Sequence, residues 1–144
     1  MRKIILFLFC LASYKAVAQV NVHTDMRTPT WNLIGLKYDK QVKPLVWQPV
    51  FPPALKAINN KIIELPGYII PTKVGSSFNE FLFSIVPVAS CPYCGSGDIP
   101  SMIEVKTLKP LAWTEDPVIL KGKFIINDSG DSRSVFFLLD AAKK

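Results

Sequence analysis

Cys91 and Cys94 stand three positions apart in the stretch SCPYCGSGD, Ser90 to Asp98. Two thiols at that spacing support three chemistries. Cys91 could attack a disulfide as a thiolate while Cys94 resolves the mixed intermediate. The pair could instead oxidise to a small structural ring. Or both thiolates could grip one soft metal ion, zinc above all, because a C-x-x-C turn is the usual half of a zinc site.

Each chemistry asks for different surroundings. The tetrapeptide CPYC is also the active-site sequence of glutaredoxins, where the first cysteine sits at a helix N-terminus whose dipole and free N–H groups lower its pKa. Here the next residues are GSGDIP, Gly95 to Pro100. An interior glycine costs a helix about 1 kcal/mol relative to alanine and an interior proline about 3 kcal/mol, so no useful helix starts there. A disulfide closing a ring of about four residues gains only about 2 kcal/mol of loop entropy, which would fix the shape of one loop. A metal needs further ligands, and the candidates are Asp98, Glu104, the C-x-x-C of another chain, and His23, the single histidine of this one. Asp98 in GSGD is equally a turn former. Bridge and metal site both stay open.

Other catalytic sets are poorly supplied. A Ser/His/Asp triad would need His23 as its base, and the chain has neither a G-x-S-x-G elbow nor a glycine-rich phosphate loop ahead of a helix. Glu64, Glu80 and Glu104 read as solvated strand-face carboxylates, and Trp31, Trp47 and Trp113 as packing residues.

The opening MRKIILFLFCLASYKAVAQ reads as a secretory signal over residues 1–18, with Arg2 and Lys3 before an apolar run and an A-x-A box at Ala16 to Ala18. That run is too short to span a membrane, and no later run is longer, so no transmembrane segment is expected after cleavage. Export, to the periplasm or the outside, favours oxidised cysteines. Loss of Arg2, Lys3 and Lys15 lowers the net charge from +6 to +3. The remaining basic residues are scattered, without the dense patch of a nucleic-acid surface. Partners are then an envelope protein or a metal ion.

Residues 19–30 are polar and unpatterned, a flexible arm ahead of a single domain over 31–144. TPTWNLIGLKYDKQ predicts a short helical turn with Thr28 as N-cap and Pro29 at its first position, carrying Trp31, Ile34 and Tyr38 on one face. PLVWQPVFPP should be extended, because a residue before proline avoids helical geometry. PALKAINN should start a helical turn at Pro53. Five strands are expected after it. KIIELPGYIIP is bent at Gly67 and closed by Pro71, and SSFNEFLFSIVPVAS follows across the hairpin TKVGS. Next come SMIEVKTL, then DPVILKGKFIIND, then SRSVFFLLDA after the turn NDSGDS. The linker KPLAWTE has room for a short helix only. The expected fold is mainly β, a small OB-like barrel of about five strands with one or two short helices near the N-terminus, and a sandwich satisfies the same strand pattern.

An ordered series of segments resembles a family of small exported bacterial proteins, domain of unknown function 3299. It comprises WNL at Trp31, ALKAINNKIIELPGYIIP at Ala54 to Pro71, FLFS at Phe81, SCPYCGS at Ser90, VILKGKF at Val118 and FLLDA at Phe137. The resemblance covers nearly the whole mature chain. It implies an exported single domain whose cysteine loop is the functional feature, an accessory of envelope metal handling or transport, and it attaches to Gly67, Pro71, Cys91, Pro92 and Cys94. The near absence of histidine departs from a histidine-based metal role. The reading from sequence is a non-enzymatic exported binding or accessory module, with a thiol-disulfide exchange protein using Cys91 and Cys94 as the alternative.

Overall fold

The structure, a computed structural model, describes residues 26–87, 102–129 and 134–144. Helix α1 (Pro29–Ile34) forms where the cap signals place it. The Thr28 side chain accepts a hydrogen bond from the Trp31 N–H at 3.3 Å, and Pro29, whose missing N–H costs nothing in the first turn, occupies an N-terminal position. Helix α2 (Pro53–Lys56) is likewise opened by a proline. Strands β1 (Tyr38–Lys43) and β2 (Val46–Val50) lie between the two helices. Five further strands follow: β3 (Ile62–Ile70), β4 (Ser77–Ser84), β5 (Met102–Ala112), β6 (Val118–Ile126) and β7 (Phe136–Lys143).

The last five close a barrel in the order β3-β4-β5-β7-β6, with β6 returning to β3. Every pair is antiparallel except β5 with β7. Strand β3 serves two neighbours by bending: Ile62 to Gly67 pair with β6, and Tyr68 to Ile70 pair with β4. Gly67 stands at that changeover. A Cβ there would lie 2.6 Å from the Ser84 carbonyl oxygen and 2.8 Å from the Phe83 ring, so only glycine lets the strands approach this closely. A second corner is made at Asp140, whose φ of 51° marks a bulge opposite Gly122 in β6.

Alternation fills the interior. In β6, Val118, Leu120, Gly122 and Phe124 turn inward while Ile119, Lys121 and Lys123 face out. Phe81, Phe83, Ile103, Val105 and Leu138 complete the middle of the core. The two helices plug one end of the barrel with Trp31, Ile34 and Leu55. Trp31 is 2% exposed, stacks on Phe83 with ring centroids 6.3 Å apart, and donates its Nε1–H to the Pro66 carbonyl at 2.7 Å. That bond satisfies the one polar atom of a buried indole. Asn59 and Asn60 then lead into β3. Asn60 takes a left-handed φ of 63° and donates its N–H to the Phe124 carbonyl, and the Asn59 Oδ1 accepts from the Ile126 N–H at 2.9 Å.

Two expectations need correction. Tyr38 does not continue the helical face of Trp31 and Ile34. The helix stops at Ile34, and Tyr38 opens β1, pairing with Val50. The segment from Lys109 to Ala112 is not part of a linker with room for a helix, because β5 runs on through it and pairs Leu111 with Phe78 and Ala112 with Ser77. Pro110 is accommodated because the register between Lys106 and Leu111 is irregular, and the proline needs no ladder hydrogen bond there.

The β1–β2 hairpin is a separate two-stranded sheet. All of β1 and all of β2 but Val50 are exposed. Its turn is Pro44–Leu45, between the paired residues Lys43 and Val46. Leu45 adopts φ 63°, the position at which a type II turn prefers glycine, at a cost of roughly 1–2 kcal/mol. The same leucine is 92% exposed.

Candidate functional site

Ser84, the last residue of β4, lies directly opposite Met102, the first of β5. The connection that carries the cysteines therefore leaves and re-enters the barrel at adjacent points. Its first residues are tied down. Ser84 is fully buried and its Oγ accepts a hydrogen bond from the Val86 N–H at 3.3 Å. Ile85 is part of the core, and its carbonyl accepts from the Met26 N–H at 3.0 Å, which fastens the segment ahead of α1 to the same point. A cleft of about 270 Å³ opens beside it, lined by Arg27, Trp31, Asn32, Gly35 and Ile85.

Of the residues singled out from sequence, Cys91, Pro92, Cys94, Asp98 and His23 lie outside the described residues. Gly67 and Pro71 lie within them and take different places. Gly67 precedes Tyr68, which is paired with Ser84, so the bend of β3 sits next to the base of the cysteine connection. Pro71 follows the end of β3 at the start of the β3–β4 turn, away from that base. Gly67 and the loop base come together; Pro71 does not join them.

The outer face beside that base is unusually apolar. Tyr68, Ser84 and Met102 form one cross-strand row, and Ile70, Leu82, Glu104, Phe137 and Ile125 form the next across β3, β4, β5, β7 and β6. Their neighbours in sequence, such as Phe83, Ile103 and Leu138, point into the core, so this row points out. Yet Tyr68 is only 5% exposed and Phe137 only 7%. Both are buried outside the contiguous core, and neither stood out in the sequence. The signal was present in FFLLD, where an apolar residue occupies the position that alternation assigns to solvent.

The carboxylates behave as strand-face groups. On the next row Glu80 meets Lys106 at 3.0 Å, and the hydrogen bond from that ammonium, with its charge, holds the Glu80 carboxyl below its ordinary range. Glu64, on the β3 side, accepts from Lys144 at 2.8 Å and lies 3.7 Å from Lys121. Its carboxyl is lowered first by the Lys144 hydrogen bond and then by the two charges. Both pairs are open to solvent, which screens them. Among the described residues no group of three or more His, Cys, Asp or Glu is placed to hold a metal ion. No helix among them is long and apolar enough to cross a membrane.

Compared with known proteins, the chain matches no family profile, no curated protein and no solved structure.

Proposed function

We propose that the protein is an exported, non-enzymatic binding or accessory module of OB type, whose working edge is the outer face of β4 and β5 with the Cys91–Cys94 connection between them. The observation that carries the reading is the strand order. A bent first barrel strand that pairs with two neighbours, and parallel third and fifth strands, are the arrangement of an OB barrel, in which the outer face of the second and third strands binds ligands. In this chain those two strands are β4 and β5, and the CPYC sequence lies on the link between them. A ligand lying across Leu82, Met102 and Glu104 would run up to Ser84 and Met102, the two ends of the connection whose sequence holds the cysteines.

The chemistry at the loop is then a disulfide that holds its shape, or two thiolates that hold a soft ion such as zinc in the service of envelope metal handling or transport. The residues GSGDIP after Cys94 oppose a helix, which favours both over thiol-disulfide exchange, since that chemistry needs a helix after the first cysteine. The departure from the usual OB plan is at the barrel end, where α1 and α2 precede the first strand and supply the plug.

The deciding experiment is the intact mass of the protein recovered from an exporting host, under native and then denaturing conditions. A loss of two hydrogens with nothing bound assigns a disulfide. A native mass raised by one metal ion, lost on denaturation with both thiols free, assigns a metal loop. Two free thiols without a metal, together with a Cys91 pKa well below the ordinary value of about 8.5, would replace the binding reading by thiol-disulfide exchange.

A further inference from the structure

We propose that the β1–β2 hairpin is a membrane-surface anchor, which inserts Leu45 and Trp47 into the interfacial layer of an anionic bilayer while Lys40 and Lys43 face the headgroups. The starting observation is Leu45. It is a leucine in left-handed backbone geometry, at a position where glycine would be unstrained, and it is 92% exposed. Backbone strain and lost burial both oppose that choice. A side chain kept against both is one with a use outside the fold. Its neighbours have the same character: Trp47 is 60% exposed, and Val42 and Val46 are exposed beside it.

The charges around this tip select the partner. Lys37 is neutralised by Asp39 at 2.7 Å, and Asp39 is the one acidic residue between Leu36 and Val50. Lys40 and Lys43 are exposed and have no ion-pair partner among the described residues. An apolar tip with a tryptophan and a collar of unpaired lysines is complementary to the anionic bilayer surface. There indoles sit at headgroup level and lysines reach the phosphates.

The hairpin edges argue against the alternative of strand addition to another protein or a second copy. Strand β2 carries Pro49, which has no N–H to offer, and prolines within sheets place that gap at a free edge. Strand β1 is interrupted by the irregularity between Gln41 and Lys43. Both edges are blunted in the ways that discourage pairing. What remains for recognition is the side chains at the tip.

The test is co-sedimentation of the protein recovered from an exporting host with vesicles of phosphatidylcholine alone, or of equal parts phosphatidylcholine and phosphatidylglycerol. Binding to the anionic vesicles should exceed binding to the neutral ones by about tenfold or more, and should fall away near 1 M salt. The double substitution Lys40→Glu/Lys43→Glu should remove that preference. Leu45→Gly should weaken binding while leaving the denaturation midpoint equal or higher, since glycine relieves the strained φ, so a loss of binding cannot be a loss of folding. Tryptophan emission should shift to the blue on the vesicles, and the shift should vanish in Trp47→Phe. No binding to anionic vesicles at low salt would overturn the proposal, as would binding indifferent to all three variants. Concentration-dependent self-association that Leu45→Gly abolishes would overturn it in favour of a second copy.

Discussion

Strands β6 and β1 are both antiparallel, yet they stand in opposite relations to water. In β6 every second residue from Val118 to Phe124 is buried, whereas all six residues of β1 are exposed although Tyr38 and Val42 are among them. Each barrel strand is therefore held by the core it lines, with the ladder adding to a burial term of about 25 cal/mol per Å². The hairpin has only its ladder and its Pro44–Leu45 turn, and a lone two-stranded hairpin is marginal in water. Regular strand geometry in this protein thus has two sources, and only one of them is the hydrophobic core.

Substitutions can separate those sources. The largest effect is expected for Phe83→Ala, which leaves a cavity beneath Trp31 and should lower unfolding free energy by about 3–5 kcal/mol in a denaturant titration. Next is Gly67→Ala. Its Cβ would press on the Ser84 carbonyl and the Phe83 ring at the bend of β3, and overpacking of that kind costs about 1–3 kcal/mol. Backbone cannot step aside as a side chain can, so the upper end of that range is expected. Trp47→Ala, by contrast, should change stability by less than about 0.5 kcal/mol, as exposed positions do. A loss as large as that of Phe83→Ala would mean that the hairpin packs on the barrel and would erase the distinction.

The smallest effect concerns the barrel's outer ion pairs and depends on pH. Glu64 has its carboxyl lowered from 4.5 by Lys144 and Lys121, and Glu80 has its own lowered by Lys106. A depressed folded pKa contributes stability that is full above the unfolded value and is lost as pH falls through the folded one. The unfolding midpoint should therefore decline slightly below pH 4.5, and Glu64→Gln should flatten part of that decline. Salt near 1 M should shrink it further, since the screening length is then about 3 Å.

Much of the barrel is legible in the chain, because its signals are local. The alternation of VILKGKF, the cap and proline of α1, and the proline opening of α2 depend on neighbours within a few residues. Gly67 is legible as a bend but not as a contact: the atoms that forbid a Cβ belong to Phe83 and Ser84 on another strand. The hairpin was half legible. PLVWQPV reads as extended, but Trp31, Ile34 and Tyr38 share a helical spacing that proved accidental for Tyr38. Trp31, between Thr30 and Asn32, and Trp47, between Val46 and Gln48, carry no local signal that separates core from surface. One is a buried plug and the other an exposed tip residue.

By itself the sequence determined the five barrel strands and the two short helices in outline, the bend at Gly67, and that a CPYC stretch falls between two of those strands. Those features follow from backbone sterics and from the two-residue period of the pleat, which act over a few bonds. Only the tertiary structure decided that five strands close on themselves with β5 parallel to β7, that Pro110 rests in a break of register, and that Tyr68 and Phe137 are buried outside the contiguous core. It also decided that the hairpin stands apart. Those outcomes depend on contacts between residues far apart in the chain, and closing a barrel fixes all of them at once.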